Sequence, residues 1–211
     1  MPILRKGEYK LPDWSELESY EILELAPGQK RVFTRSGERE RVVVSSGICS
    51  ISSSGGTVSG SKGSIVEVWQ PGDQLKIHEI VEAVKLVHLS GHWKSETGGC
   101  GLFQVNISSD PKDGGDPFGY SKYTNFDRHY HDCDEYWILL DGSGVAISEN
   151  VAYRVGRGDC LITGMGHHHD FPEVFEPVRA VYFETSLEGK KRTGHLWEHT
   201  HGKADAKHKR I

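Results

Sequence analysis

Several features that would indicate a membrane, secreted or nucleic-acid-binding protein are missing from this sequence. No apolar run is long enough to span a bilayer and no signal peptide is recognisable. The four cysteines, Cys49, Cys100, Cys133 and Cys160, have no paired spacing that would indicate a disulfide framework or a zinc ribbon. The net charge is −5, and no basic stripe with interleaved aromatic residues occurs. We therefore expect a cytoplasmic protein with free thiols that binds neither nucleic acid nor membranes.

What the sequence does contain is typical of a globular β-protein. Of its 211 residues, 36% are hydrophobic and 26% are charged, which is an ordinary balance for a chain that buries a core. From about Tyr20 onward, short runs rich in β-branched residues alternate with glycine, serine and proline. Short strands at this spacing, with turn signals between them, are typical of β-sandwiches and β-barrels. The sequence predicts an all-β fold with few short helices.

One stretch of the second half concentrates residues that bind metals. His129 and His131 would project to the same face of a strand, because side chains alternate with period 2, and Glu135 has the same parity after a short bend. Imidazole nitrogens and a carboxylate suit a divalent transition metal such as Fe, Mn, Ni, Zn or Cu. Such a site needs a further ligand from elsewhere in the fold, and His169 is the candidate.

The spacing of these residues resembles the two signature motifs of the cupin superfamily. His129, His131, Glu135 and Gly142 match the first motif, and the second is matched by Gly158, Gly166 and His169. Gly164 stands where the second motif usually has a proline. The resemblance implies a β-barrel of the jelly-roll type (a double-stranded β-helix) that holds one metal ion through three histidines and one glutamate. These ligands would be His129, His131, Glu135 and His169.

The first half of the chain repeats part of this frame. Glu40 and Gly47 have the same separation as Glu135 and Gly142, and Pro71-Gly72 parallels the turn before the last histidine of the second motif. An internal repeat explains this correspondence. We therefore expect two cupin-like β-barrels in one chain, a bicupin.

The first barrel lacks the metal ligands. Thr34, Ser36 and Leu75 occupy the three positions where histidines would fall. We expect the metal only in the second, C-terminal barrel. The predicted domains are an N-terminal arm (1–19), a degenerate barrel (20–94), a metal-binding barrel (95–190) and a C-terminal tail (191–211).

Other histidines and Cys133 are not expected to bind the metal. Motif counting selects His169 over its neighbours His167 and His168. His199 and His201 could form a second metal pair, but no carboxylate is placed to complete it, so a tail docked on the surface is the preferred interpretation. Two histidines of the first half, His78 and His88, are interpreted as structural or solvent-facing.

The ligand set alone leaves the reaction open, because cupins include isomerases, lyases, decarboxylases, dioxygenases and metal-free binding proteins. Our main hypothesis is a metal-dependent enzyme that acts on a small oxygen-rich molecule, a sugar derivative or a hydroxy or keto acid, by isomerase or lyase chemistry. The alternatives are an Fe(II)-dependent dioxygenase and a non-catalytic binding module. Glu135 is the predicted catalytic residue, and Trp137, Arg179 and Tyr182 are the candidates for substrate binding. A homodimer is expected from the open sheet edges.

Overall fold

A computed structural model describes residues 3–8, 10–68, 74–108 and 115–210. The chain divides into two compact units, Ser15–Trp93 and a second unit that combines Met1–Trp14 with Lys94–Ile211. The predicted all-β class is confirmed, because the described residues form twelve strands and one four-residue helix. Within the described ranges, no helix is both long and apolar enough to cross a membrane. The Pro71-Gly72 turn lies outside the described residues.

The strands follow one another along the chain in this order: β1 (Ile3–Leu4), β2 (Leu17–Leu25), β3 (Arg31–Thr34), β4 (Arg39–Ser53), β5 (Gly56–Gly60), β6 (Ile65–Val68), β7 (Gln74–Gly91), β8 (Thr97–Val105), β9 (Glu135–Ser148), β10 (Val151–Gly156), β11 (Cys160–Thr163) and β12 (His169–Ser186). The helix α1 (Glu198–His201) follows in the C-terminal segment.

The N-terminal unit contains one antiparallel sheet in the order β2-β7-β4-β5, with β3 paired to β7 and β6 to β4. Side chains of β7 alternate as period 2 requires, since Leu75 and Ile77 are buried whereas Lys76 between them is exposed. The inward side chains form the apolar core of this unit. Its buried members are Phe33, Val42, Val44, Cys49, Ile51, Val68, Leu75, Ile77, Ile80, Val84 and Leu86.

The second unit contains the other antiparallel sheet, in the order β1-β11-β9-β12-β8, with β10 paired to β9. Residues 3 and 4, which the sequence assigned to an N-terminal arm, pair with β11 and therefore extend this sheet. The long strands β9 and β12 run side by side at its centre. Its core consists of Ile3, Val105, Trp137, Leu139, Ala146, Val155, Leu161, Phe171, Val174, Val178 and Ala180.

The two glycines of the repeated frame have the same structural role. Gly47 and Gly142 have φ angles of +81° and +84°. A Cβ atom there would lie 2.3 Å from the Ala83 carbonyl oxygen and 2.1 Å from the Pro177 carbonyl oxygen, respectively. Both positions therefore need glycine for its left-handed backbone and for the close approach of the neighbouring long strand.

Candidate metal centre

The predicted ligands come together because a short segment lies beside the start of β12. His129 and His169 form an antiparallel bridge, in which the N–H of His129 donates to the His169 carbonyl (3.2 Å) and the N–H of His169 donates to the His129 carbonyl (3.0 Å). The carbonyl of His131 accepts from the N–H of Gly166 at 2.9 Å. Glu135 begins β9, four residues after His131. The two motifs thus meet through backbone hydrogen bonds.

The four side chains lie deep inside the second unit. Their exposed fractions are 0% for His129, 2% for His131, 5% for Glu135 and 1% for His169. One ligand atom from each lies within 4.8 Å of the others. The Oε2 atom of Glu135 is 2.8 Å from Nε2 of His169 and 3.4 Å from Nε2 of His131. The cluster is as compact as a single ion requires.

The far nitrogen of each imidazole ring is fixed by a backbone carbonyl. The Nδ1 atoms of His129, His131 and His169 lie 3.0 Å from the carbonyl oxygens of Asp127, Gly194 and His167, respectively. A carbonyl oxygen only accepts hydrogen bonds, so each Nδ1 carries the proton. In the neutral ring the Nε2 lone pair is then available to a metal, which is the usual arrangement of ligating histidines.

Among the residues that the structure describes, the atoms that face one another in this cluster find no hydrogen-bond partner. They are Nε2 of His129, His131 and His169 and Oε2 of Glu135. Buried polar atoms are nearly always satisfied, because an unpaired one costs about 1–3 kcal/mol. The 2.8 Å separation between Glu135 and His169 does not amount to a hydrogen bond, since both atoms act as acceptors when Nδ1 holds the proton. These four donors fit a divalent transition metal.

The protonation states agree with a cation site. Burial lowers the pKa of His129 and of His169, so both rings are neutral at neutral pH. Burial alone would raise the pKa of Glu135, but the charge of His131 holds it well below its usual value. Burial would also lower the pKa of His131, yet Glu135 and Glu184 raise it to about 9. Without a metal, His131 is therefore the ring that carries the positive charge.

The three candidates for substrate binding occupy different places. Trp137 is 2% exposed, belongs to the core and makes an edge contact with the His169 ring at 5.2 Å. Tyr182 is half-buried against the same core. Arg179 lies on the opposite face of β12 from Tyr182, is exposed, and donates to the carboxylate of Asp141 at 2.6 Å. The structure thus places Trp137 beside the His169 ring, Tyr182 against the core that contains Trp137, and Arg179 outside the cluster.

The neighbouring histidines are engaged elsewhere. The Nε2 atom of His167 lies 3.1 Å from the Lys207 carbonyl oxygen, and His168 contacts the Asp116 carboxylate at 3.0 Å. Cys133 is buried, and burial together with the surrounding carboxylates raises the pKa of its thiol well above the usual value. The thiol is therefore protonated at neutral pH, a form that binds metals poorly.

Sequence reasoning missed Glu184, which lies beside the cluster. Its Oε1 atom is 3.8 Å from Nδ1 of His131, and its side chain is 6% exposed. Burial raises the pKa of this carboxyl, and the nearby Glu135 adds to the effect. Glu184 pairs with Glu135 across β9 and β12, a register that the sequence alone does not reveal.

Sequence reasoning also missed His195 and Asp127. The His195 ring is stacked on the ring of His129, with centroids 3.7 Å apart and planes inclined by 6°. Its Nδ1 atom donates to Asp127 at 3.0 Å, and Trp197 Nε1 donates to the same carboxylate at 2.8 Å. Part of the tail that was expected to dock on the surface therefore contributes to the surroundings of the cluster.

The N-terminal unit satisfies the corresponding glutamate without a metal. Glu40 is 2% exposed and accepts hydrogen bonds from the N–H of Ser36 at 2.8 Å and from the Ser90 hydroxyl at 3.1 Å. Its other oxygen contacts Nε2 of His88. Burial alone would raise the pKa of Glu40, but these hydrogen bonds, led by that of His88, lower it. His88 is thus a structural partner of the carboxylate.

One curated protein has a sequence similar to that of this chain. No protein-family model matches the chain. The uncharacterized protein y4oW of Sinorhizobium fredii is 40% identical over 211 residues, which is 100% of this chain and 97% of that protein.

Among solved structures, AerE from Microcystis aeruginosa matches with a TM-score of 0.59 at 11% identity, covering 82% of this chain and 89% of that one. A variant of oxalate decarboxylase from Bacillus subtilis has a TM-score of 0.57 at 11% identity and coverages of 84% and 71%. Protein YhaK from Escherichia coli has a TM-score of 0.56 at 14% identity and coverages of 88% and 93%. These likenesses show the fold alone, and the fold is that of the cupins.

Proposed function

Because this chain belongs to the same family as the uncharacterized protein y4oW of Sinorhizobium fredii and has the cupin fold, we propose that it is a metal-dependent cupin enzyme. Its substrate is a small oxygen-rich molecule, such as a sugar derivative or a hydroxy or keto acid. The reaction is of the isomerase or lyase type at a carbonyl group. The following observations support this proposal.

The proposal rests on the four unsatisfied atoms of the buried cluster. His129, His131 and His169 would hold the ion through Nε2, and Glu135 through Oε2. Four protein ligands leave one or two positions open for an ion that takes five or six, and catalytic sites keep such a position. A bound divalent ion supplies a Lewis acid that polarises the oxygen atoms of a substrate.

The chain's own residues would bind the substrate and move its protons. Trp137, beside His169, and Tyr182, which packs against the same core, offer aromatic surface for the carbon skeleton of the substrate. Glu135 is the proposed catalytic residue, because a carboxylate can hold and transfer a proton whereas an amide cannot. Burial raises the pKa of Glu184, which brings this carboxyl closer to exchanging a proton with a substrate near neutral pH.

We also propose a bicupin organisation with a single metal. Gly47 and Gly142 have matching backbone conformations at matching positions, which supports an internal repeat. The carboxylate of Glu40 already has protein partners, including His88, and therefore needs no ion. One metal ion per chain, bound in the second unit, is the stoichiometry that follows.

The first test is a metal analysis of the purified protein. The parent should contain one divalent ion per chain, and the double variant His129→Ala/His131→Ala should contain none. His199→Ala is the matched control, since it removes a histidine whose side chain is 57% exposed and which bonds to Asp116. If the double variant kept one tightly bound ion, the site assignment would be wrong.

The second test separates the possible reactions. The metal-loaded protein is offered a panel of sugars and of hydroxy and keto acids, with and without oxygen. Turnover without oxygen consumption supports isomerase or lyase chemistry, whereas turnover that requires oxygen supports a dioxygenase. If the loaded protein binds compounds of the panel but converts none of them, it is a binding module and the enzyme proposal fails.

A further inference from the structure

The C-terminal segment lies against the metal-binding segment on the side opposite β12. Tyr130, between the two histidines, forms an antiparallel bridge with Leu196, in which each residue's N–H donates to the other's carbonyl at 3.0 and 3.1 Å. His129 is bridged to His169 on the other edge. The ligand segment is therefore held between two backbone neighbours, and one of them comes from the tail.

Side chains reinforce this arrangement on both sides of the bridge. Leu196 is 2% exposed, so its side chain is packed into the second unit. Arg192 makes a bidentate contact with the carboxylate of Asp132, with both nitrogen–oxygen distances 3.0 Å. On the other side, Asp127 accepts hydrogen bonds from both His195 and Trp197. The ligand segment is thus held by the C-terminal segment at three places, Asp127, Tyr130 and Asp132.

Two further contacts of the C-terminal segment reach the ligand histidines themselves. The carbonyl of Gly194 is the acceptor for Nδ1 of His131, whereas His129 and His169 use carbonyls two residues before them in their own segments. The tautomer and the orientation of His131 therefore depend on the tail. The ring of His195 covers one face of the His129 ring.

We propose that residues 192–197 form a clamp that positions His129 and His131 for the metal, so that metal affinity depends on the C-terminal segment. This inference rests on the proposed metal centre. The residues of the clamp are positioning residues, because they act through the ligands. Outer partners of metal ligands typically contribute about 10- to 100-fold to metal affinity.

The test measures cobalt(II) binding by the full-length chain in competition with a chromophoric chelator. His195→Ala, which removes both the ring stacked on His129 and the bond to Asp127, should weaken binding by about 10- to 100-fold. Trp197→Phe removes only one N–H donor to Asp127, so it should have a smaller effect in the same direction. The control His199→Ala changes a histidine of the same segment that bonds to Asp116 and should leave affinity within about twofold of the parent.

Two further readouts distinguish positioning from general stability. The visible spectrum of bound cobalt(II) should change in His195→Ala, and the melting temperature of the metal-free variant should stay close to that of the parent. Unchanged affinity and spectrum in both His195→Ala and Trp197→Phe would overturn the clamp. If His129→Ala also bound cobalt(II) like the parent, the metal centre itself would fail, which is a separate result.

Discussion

A proton and a metal ion compete for the same atom in the candidate site, which makes metal binding dependent on pH. The pKa of His131 is raised to about 9 by Glu135 and Glu184, so its ring is protonated in the metal-free protein at neutral pH. The rings of His129 and His169 are already neutral, and Glu135 is already ionised. Binding of a divalent ion should therefore release one proton, and that proton comes from His131.

The size of the effect follows from one proton per ion. Below the pKa of His131, each unit of pH should change the apparent affinity about tenfold, which corresponds to about 1.4 kcal/mol. Affinity should therefore rise about 100-fold between about pH 6 and about pH 8. Metal affinity falls as the pH falls, because a lower pH favours the protonated ring, which cannot bind the ion.

Stability of the metal-free protein should change in the opposite direction. A histidine whose pKa is raised from 6.5 to about 9 stabilises the folded state fully below 6.5, and the contribution disappears as the pH rises through 9. The loss amounts to roughly 3 kcal/mol at most. Raising the pH should thus weaken the metal-free protein while strengthening metal binding.

Isothermal titration with cobalt(II) measures both the affinity and the released protons, if it is repeated in two buffers of different ionisation enthalpy. Denaturant unfolding of the metal-free protein at several pH values measures the second effect. Affinity independent of pH, with no proton released, would refute the assignment of His131 as a ligand through Nε2. A release of two protons would mean that a second ring is also charged in the metal-free state.

Three further variants test separate parts of the structure. Glu135→Gln should keep the fold and part of the metal but lose most turnover on any substrate identified; activity within a few-fold of the parent would make the carboxylate structural. His88→Ala removes one of the three partners of the buried carboxylate of Glu40 and should lower the free energy of unfolding by about 1–3 kcal/mol at unchanged metal content, as measured by denaturant titration. Gly166→Ala should weaken both stability and metal binding, because φ is +76° and the added Cβ would lie 2.4 Å from a backbone carbonyl oxygen of the C-terminal segment. Its control, Gly202→Ala, has a φ of +84° but no described atom within 4 Å of the added Cβ, so only the backbone cost of about 1–3 kcal/mol should appear.

The fold class could be predicted from the spacing of strands and turns, whereas the full set of four cluster members was implied by the resemblance to the cupin motifs. Strand alternation puts His129 and His131 on one face, and a bend at residues 132 and 133 turns the chain so that Glu135 joins the same cluster. Gly142 was predicted as a position of the same motif, and the structure supplies the physical reason, a left-handed backbone at a close approach that tolerates little else. Local constraints of this kind leave a pattern in the sequence.

The face on which Arg179 lies was not accessible from the sequence. Counted by parity from His169, residue 179 should share the face of the metal ligands. The pairing of β12 with β9 contains four register shifts between Asp170 and Ala180, however, and each shift can change which residues point inward. Tyr182 lies on the inner face as a result.

Contacts between distant parts of the chain were equally inaccessible. Asp127 and His195 are 68 positions apart, and nothing in the spacing of the tail histidines indicates that one of them stacks on a ligand. Only the folded structure distinguishes His195, which stacks on a ligand, from the other tail histidines, His199 and His201. Such contacts arise from the path of the chain, and the residue types alone do not encode them in any local pattern.

The proposal of a cation in only one unit agrees with the different surroundings of the two glutamates of the repeated frame. A buried carboxylate is costly unless donors or a positive charge compensate it. Glu40 has donors from Ser36, Ser90 and His88. Glu135 faces three imidazole nitrogens whose neighbouring Nδ1 atoms are committed to carbonyls, so in the neutral rings these atoms offer only lone pairs. Only a positive charge in their midst, a proton on one ring or a metal ion shared by all four groups, stabilises that arrangement, and the shared ion satisfies every one of the atoms at once.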